Sequence, residues 1–144
     1  MKSKENVLIY GCGDMGIQAY NILKHDKTKN IIGFLDDNTS LRGSFFMGFP
    51  VFGDQNEIQD LKKKYQINSG IATIGNNEIR KRKNLELKNN GLKIISAIHP
   101  NSFIDNPKTI GFGTIVEMGA FIHPEVKIGN GCFICCGAIV AHNS

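Results

Sequence analysis

Two patterns of apolar and polar positions follow one another along this chain, and the change comes near residue 98. Before it, short continuous apolar runs alternate with segments whose apolar residues recur at helical spacing. Val7-Leu8-Ile9-Tyr10 reads as a parallel strand buried on both faces, since such a strand has no polar side. Ile17, Ala19, Tyr20, Ile22 and Leu23 then share a helical face, up to a polar stretch over 24–30. Ile31-Ile32-Gly33-Phe34-Leu35 predicts a second strand, closed by Asp36-Asp37-Asn38. Residues 39–55 read as a loop with one short extended piece, Pro50-Val51-Phe52-Gly53. Ile58, Leu61 and Tyr65 predict a helix over 56–65, and residues 70–75 another buried strand. Asn76 is placed to cap the next helix, with Ile79, Leu85 and Leu87 as its apolar positions and Gly91 as its end. A further strand covers 93–97. Strands alternating with helices imply an α/β unit built on a parallel sheet with right-handed crossovers.

From residue 98 the period changes to six. Ile98, Ile104, Ile110, Val116, Ile122, Ile128, Ile134 and Val140 recur without a miss. Four residues after each stands a small or modest side chain (Ser102, Thr114, Ala120, Val126, Cys132, Ala138, Ser144), Lys108 excepted. Glycines at 111, 113, 119, 129, 131 and 137 suit corners. This is a hexapeptide repeat of a parallel β-helix, with the aliphatic residue pointing inward and three hexads to a triangular coil. His99 and His123 each follow an inward aliphatic and precede a proline, so they are expected to face outward. His142 lies two residues after inward Val140, at a corner, where it is either a solvated surface residue or meets a neighbouring subunit or substrate. The register is unbroken at Ser144 with no terminating element after it, so this reading expects a truncated form of something longer.

Composition narrows the partners. The formal net charge of +4 suits a small anionic ligand and is too weak and too scattered to indicate nucleic acid. No run approaches the length of a membrane span. The basic start, Met1-Lys2-Ser3-Lys4-Glu5-Asn6, leads into a strand rather than a signal peptide, so a cytoplasmic location with reduced thiols is expected. Cys132 and Cys135 have a zinc-like spacing, but no second ligand pair stands at a suitable distance and the repeat accounts for them better, so no metal is expected.

Ligands of open parallel sheets bind beyond the carboxyl ends of the strands. Three such ends carry suggestive chemistry here. Gly11-Cys12-Gly13-Asp14-Met15-Gly16 joins a strand to a helix: Gly11 permits a tight turn, Gly13 lets backbone N–H groups approach a phosphate, and Gly16 lets the helix pack closely. Asp36 and Asp37 can accept hydrogen bonds from a ribose or a base. Gly75 and Asn76, with Asn77, offer a third polar end. Binding of NAD is the direct reading of this pattern; a tight turn with no ligand, a solvated Asp-Asp turn and a purely capping Asn76 are the alternatives.

The colinear set Tyr10-Gly11-Cys12-Gly13-Asp14-Met15-Gly16, Phe34-Leu35-Asp36-Asp37, Ile74-Gly75-Asn76-Asn77-Glu78-Ile79-Arg80 and Ile98-His99-Pro100, followed by hexads, resembles the NeuD/PglD family of bacterial sugar O- and N-acyltransferases. The resemblance implies a Rossmann-like domain over 1–97 and the first coils of a left-handed β-helix over 98–144. It implies acetyl-CoA as donor, a nucleotide-linked (typically UDP-) amino sugar or a sialic-acid-type sugar as acceptor, and a homotrimer. On this resemblance Gly11, Cys12, Gly13 and Gly16 hold the phosphates, Asp36 and Asp37 contact the nucleoside, and Gly75 and Asn76 line the same pocket. Ala141-His142-Asn143-Ser144 matches the segment of the catalytic histidine, with His142 as general base and Asn143 orienting it. Asn143 stands where an acid is common in the N-acetylating members, and Cys135 where an Asn is usual. Two other classes remain open: a dinucleotide-dependent oxidoreductase, against which stands the lack of room for a substrate domain, and a non-catalytic sugar-nucleotide-binding module. Because the cofactor groove is expected along later coils, residues 1–144 alone are expected to transfer little acetyl.

Overall fold

A computed structural model describes residues 3–144; Met1 and Lys2, which open the basic N-terminal stretch, lie outside the described residues. Four parallel strands form the central sheet: β1 (Glu5–Tyr10), β2 (Lys29–Leu35), β5 (Ser69–Ala72) and β6 (Lys93–Ile94), in the order β2-β1-β5-β6. Val7, Leu8, Ile9 and Tyr10 are all buried, as expected of a central strand covered on both faces. Helices α1 (Asp14–Leu23), α2 (Ile58–Tyr65) and α3 (Asn77–Asn89) connect these strands. Two apolar clusters follow the two faces of β1. Val7 and Ile9 pack with Ala19 and Ile22 of α1; Leu8 and Tyr10 pack with Ile58, Leu61 and Leu87 of α2 and α3.

The segment read as a loop over 39–55 contains a hairpin, β3 (Phe45–Phe46) against β4 (Phe49–Pro50). Its turn residues Met47 and Gly48 both have positive φ, 52° and 83°. A two-residue hairpin of this kind favours Asn-Gly or Gly-Gly, and Met-Gly does not announce it. The expected extended piece is present in part: Val51 bridges Phe34 in parallel.

Helix α3 departs from expectation. Of its expected apolar positions only Leu87 is buried: Ile79 and Leu85 are 36% and 54% exposed, while Arg80, Lys83 and Asn84 are buried beside Leu87. The face of α3 that looks inward meets backbone amides and carbonyls as well as apolar groups, so polar side chains serve it. The Asn84 carbonyl oxygen accepts a hydrogen bond from Ala72 N at 2.9 Å. The strand expected over 93–97 also breaks: β6 stays in the central sheet and β7 (Ala97–Ile98) joins another.

Beyond β7 the chain forms short parallel strands stacked at an eighteen-residue period. One stack comprises β7, β9 (Ile115–Val116) and β11 (Phe133–Ile134); another comprises β8 (Phe103–Ile104), β10 (Phe121–Ile122) and β12 (Ile139–Val140). Ile110 bridges Ile128 on a third side. All eight aliphatics of the six-residue series fall in one apolar cluster, with Ala120 and Val126 of the small-residue register. Of the six corner glycines, 113, 119, 131 and 137 have positive φ. His99 and His123 are half-buried rather than freely solvated: His99 packs edge-on to His25, and His123 lies between Phe121 and His142.

Candidate functional site

In this sheet the chain runs from β1 to β2 on one side and later to β5 on the other, so the crevice at the carboxyl end of β1 is the topological switch point. A cleft of about 590 Å³ lies there. From the first strand end it is lined by Tyr10, Gly11, Cys12, Gly13, Asp14, Met15 and Gln18; from the second by Asp36 and Asp37; from the third by Thr73, Ile74, Gly75 and Ile79. Six of the eight predicted binding residues therefore converge. Gly16 is placed differently: a Cβ there would lie 2.2 Å from the Gly11 carbonyl oxygen, so its lack of a side chain seats α1 on the loop. Asn76 is absent from the lining, and its side-chain oxygen accepts from Ile79 N at 3.0 Å as the cap of α3.

The glycine loop is braced from both sides. Cys12 N donates to Asp36 at 2.9 Å, and the other Asp36 oxygen accepts from Asn38 N at 2.8 Å. Thr73, which the spacing did not single out, donates its hydroxyl to the carbonyls of Tyr10 and Gly11 at 3.2 and 3.1 Å. Gly13 has open space around it, and helix α1 begins at the next residue with no side-chain cap. A helix N-terminus so presented favours an anion through its unpaired N–H groups and its partial positive charge. Burial, followed by the Asp36 charge, pushes the Cys12 thiol up to about 12, so the loop sulfur is a neutral thiol at physiological pH.

Asp37 belongs to a second network. It accepts from the Tyr10 hydroxyl and pairs with Lys83 at 2.6 Å; Lys83 also pairs with Glu86 at 2.7 Å and lies over the Tyr10 ring. Partial burial raises the Asp37 carboxyl, but Lys83 and Tyr10 outweigh it and hold the group below the usual carboxylate range. Burial lowers Lys83, and the two carboxylates more than compensate, leaving its ammonium the more firmly protonated. No apolar period could reveal the roles of Lys83 and Tyr10, because their contacts join helix α3 to the ends of β1 and β2.

His142 and Asn143 lie in the corner after β12, both exposed. The Asn143 side-chain nitrogen is 3.1 Å from His142 Nδ1, and the His123 ring centroid is 5.7 Å from that of His142. Neither residue is among those that line the switch-point cleft. Among the described residues the histidines, cysteines and carboxylates nowhere gather in threes with metal-binding geometry, and no helix is long and apolar enough to cross a membrane.

A parallel sheet with a glycine loop and acids at its switch point defines a Rossmann-like α/β unit, here continued by stacked parallel strands. The PglD N-terminal domain family matches residues 6–87, more than half of the chain, and the chain belongs to that family, a branch of the NeuD/PglD sugar acyltransferases. Solved structures agree. PerB from Caulobacter crescentus, in complex with CoA and GDP-perosamine, shares the fold with a TM-score of 0.82 at 24% identity, over 94% of this chain and 62% of that one. The acetyltransferase domain of PglB from Neisseria gonorrhoeae, in complex with acetyl coenzyme A, has a TM-score of 0.82 at 26% identity, over 98% of this chain and 66% of that one. UDP-D-quinovosamine 4-dehydrogenase from Vibrio fischeri is more distant, with a TM-score of 0.55 at 26% identity over 63% of this chain and 75% of that one. The chain thus spans under two thirds of the length of the two acetyltransferase structures.

Proposed function

We propose that this chain is the acceptor-binding part, with the first coils, of an acetyl-CoA-dependent acetyltransferase acting on a nucleotide-linked sugar in bacterial surface glycan synthesis. The observation that carries the reading is the switch-point cleft, where the glycine loop, the uncapped start of α1 and Asp36 and Asp37 converge. The nucleotide diphosphate sits on the N–H groups of the loop, and the carboxylates face the nucleoside. PerB and PglB, similar along nearly the whole of this chain, were solved with CoA or acetyl-CoA, and PerB with a nucleotide sugar. On this reading a UDP-linked amino sugar or a sialic-acid-type sugar is the acceptor, residues 1–97 form one domain, and residues 98–144 begin a left-handed β-helix. The whole protein is a cytoplasmic homotrimer that needs no metal.

His142 is the general base of this scheme. Its imidazole removes a proton from the acceptor amine or hydroxyl as that group attacks the thioester carbonyl. The new N–C or O–C bond forms, the C–S bond breaks, and the departing sulfur of coenzyme A takes the proton back from the imidazolium. For Nε2 to accept a proton, Nδ1 must carry the ring hydrogen, and Asn143 must then turn its carbonyl oxygen toward Nδ1. Asn143 orients the ring without the charge compensation that a carboxylate would add. Because this chain covers 62% of PerB and 66% of the PglB domain, and the acetyl-CoA groove is expected along further coils, residues 1–144 alone bind the sugar nucleotide and transfer little acetyl.

The test is acetyl transfer from acetyl-CoA to a panel of sugar nucleotides by the whole protein and by residues 1–144. The whole protein should acetylate at least one of them, and His142→Ala should slow it by about 10²–10⁴-fold. An undiminished rate in His142→Ala, or no transfer to any sugar nucleotide, would overturn the reading.

A further inference from the structure

Arg80 is 3% exposed, yet none of the ion pairs among the described residues includes it. Its partners are neutral oxygens. Nη1 donates to the carbonyls of Ile74 and Gly75 at 2.8 and 3.2 Å, Nη2 to the side-chain oxygen of Asn77 at 2.8 Å, and Nε and Nη2 to the Gly131 carbonyl at 3.1 and 2.9 Å. A buried cation without a counter-ion is costly, and here hydrogen bonds to neutral oxygens offset that cost. The rigid fork lets one side chain grip carbonyls on two sides at fixed angles, which a lysine cannot do.

The two sides belong to different parts of the molecule. Ile74 and Gly75 line the switch-point cleft. Gly131 stands two residues before β11, in the coil that continues through β12 to His142. Among the described residues, the bonds of Arg80 are the only hydrogen bonds from residues before Ile95 to residues 129–144. Apolar packing also crosses this junction, because Phe133 lies against the cluster of Val7, Ile9 and Ile115. That packing is non-directional and keeps the parts together; the guanidinium adds direction.

We infer that Arg80 is a positioning residue: it fixes the rim of the nucleotide cleft against the coil that carries His142, and so sets where the bound sugar stands relative to the base. The inference rests on the function proposed above. A positioning role costs rate rather than affinity, since a displacement of about 1 Å can lower a rate on the order of 100-fold. In the whole protein, Arg80→Lys and Arg80→Met should each leave the dissociation constant for the sugar nucleotide within about threefold of wild type while kcat falls roughly 10- to 100-fold. In a His142→Ala background, Arg80→Lys should lower the residual rate no further, because no base remains to be misplaced. A full additional loss in that background, or affinity falling as far as kcat, would overturn the inference.

If the wild-type protein binds a sugar nucleotide but transfers no acetyl, the functional reading fails and the positioning claim is decided by distance alone. Spin labels introduced by Lys24→Cys and Lys127→Cys, with the four native cysteines replaced by serine, report the placement of α1 relative to the coils. One narrow distance is expected with Arg80 and a broadened one in Arg80→Met; identical distributions would contradict it. Thermal melting identifies any variant that fails to fold, and Arg80→Lys, which keeps the charge, supplies the second variant for the same measurement.

Discussion

The Asp36 carboxylate accepts a hydrogen bond from the backbone N–H of Cys12 at 2.9 Å, so the acid that ends β2 holds the glycine loop that ends β1. Spacing alone suggests an acid free for a ribose. Here Asp36 also shapes the loop, and a ligand hydroxyl must use the remaining lone pairs of its two oxygens. Asp37, one residue on, is committed instead to Lys83 and Tyr10.

These different commitments separate the two acids experimentally. Asp36→Ala removes the brace of the loop and an acceptor from the cleft, and should weaken sugar-nucleotide binding by about 1–3 kcal/mol. Asp37→Ala takes a counter-ion from buried Lys83, leaving it Glu86, and should lower the melting temperature more than it lowers affinity. Calorimetric titration and thermal melting of both variants check this; equal losses of affinity in the two would show that Asp36 has no special place.

Two glycines of the loop should fail in opposite ways. Gly16→Ala drives a Cβ to 2.2 Å from the Gly11 carbonyl oxygen, backbone against side chain, and should cost roughly 1–3 kcal/mol of stability. A Cβ at Gly13 meets nothing within 4 Å, and the backbone there is extended, so Gly13→Ala should melt like wild type. Its methyl would enter the space in which a phosphate approaches the loop, so affinity should fall while stability does not. Normal binding by Gly13→Ala would mean that no phosphate sits on this loop.

The legible parts of this chain are those where one apolar period describes the whole environment. The continuous run at Val7 to Tyr10 marked the central strand, and the six-residue series from Ile98 to Val140 marked the stacked strands, because in both the repeating positions are apolar and pack into apolar clusters. Helix α3 was not legible in the same way: Arg80, Lys83 and Asn84 face inward because what they meet is backbone carbonyl, carboxylate and amide. The Phe45–Pro50 hairpin was missed because Met47 takes a left-handed conformation that its side chain does not advertise. The glycine loop, Asp36, Asp37 and Gly75 were read from their positions after strands. Thr73 and Tyr10 act through contacts between strand ends, and Lys83 through contacts from α3 to those ends, which no local spacing encodes.

Stability should also depend on pH through Glu5. Burial raises its carboxyl, but hydrogen bonds from Ser69, Lys29 and Lys93 outweigh burial and bring it to about 2. An unfolded glutamate titrates near 4.3, so the stabilisation is present above that value and is lost as pH falls from about 4 toward 2. Acid titration of the melting temperature should show this loss, and Glu5→Gln should flatten that part of the curve. An unchanged slope in Glu5→Gln would place the acid sensitivity elsewhere.

The outer face of the β8-β10-β12 stack bears on the proposed trimer. Phe103 and Phe121 stack at 4.6 Å between centroids, both substantially exposed, and Ile139 in the same column is 71% exposed. Such a contiguous apolar column suits an interface between copies of the chain. Phe121→Glu should shift the whole protein from trimer to smaller species in sedimentation equilibrium without lowering sugar-nucleotide affinity. An intact trimer in that variant would move the interface to another face.

The central claim is that the switch-point cleft takes a nucleotide-linked sugar rather than a dinucleotide. Calorimetric titration of this chain with a UDP-amino sugar, with GDP-perosamine and with NAD, repeated on Gly13→Ala, tests it most directly. The account predicts saturable binding of a sugar nucleotide, its loss in Gly13→Ala, and no comparable heat from NAD. Tight binding of NAD with no response to either sugar nucleotide would contradict it.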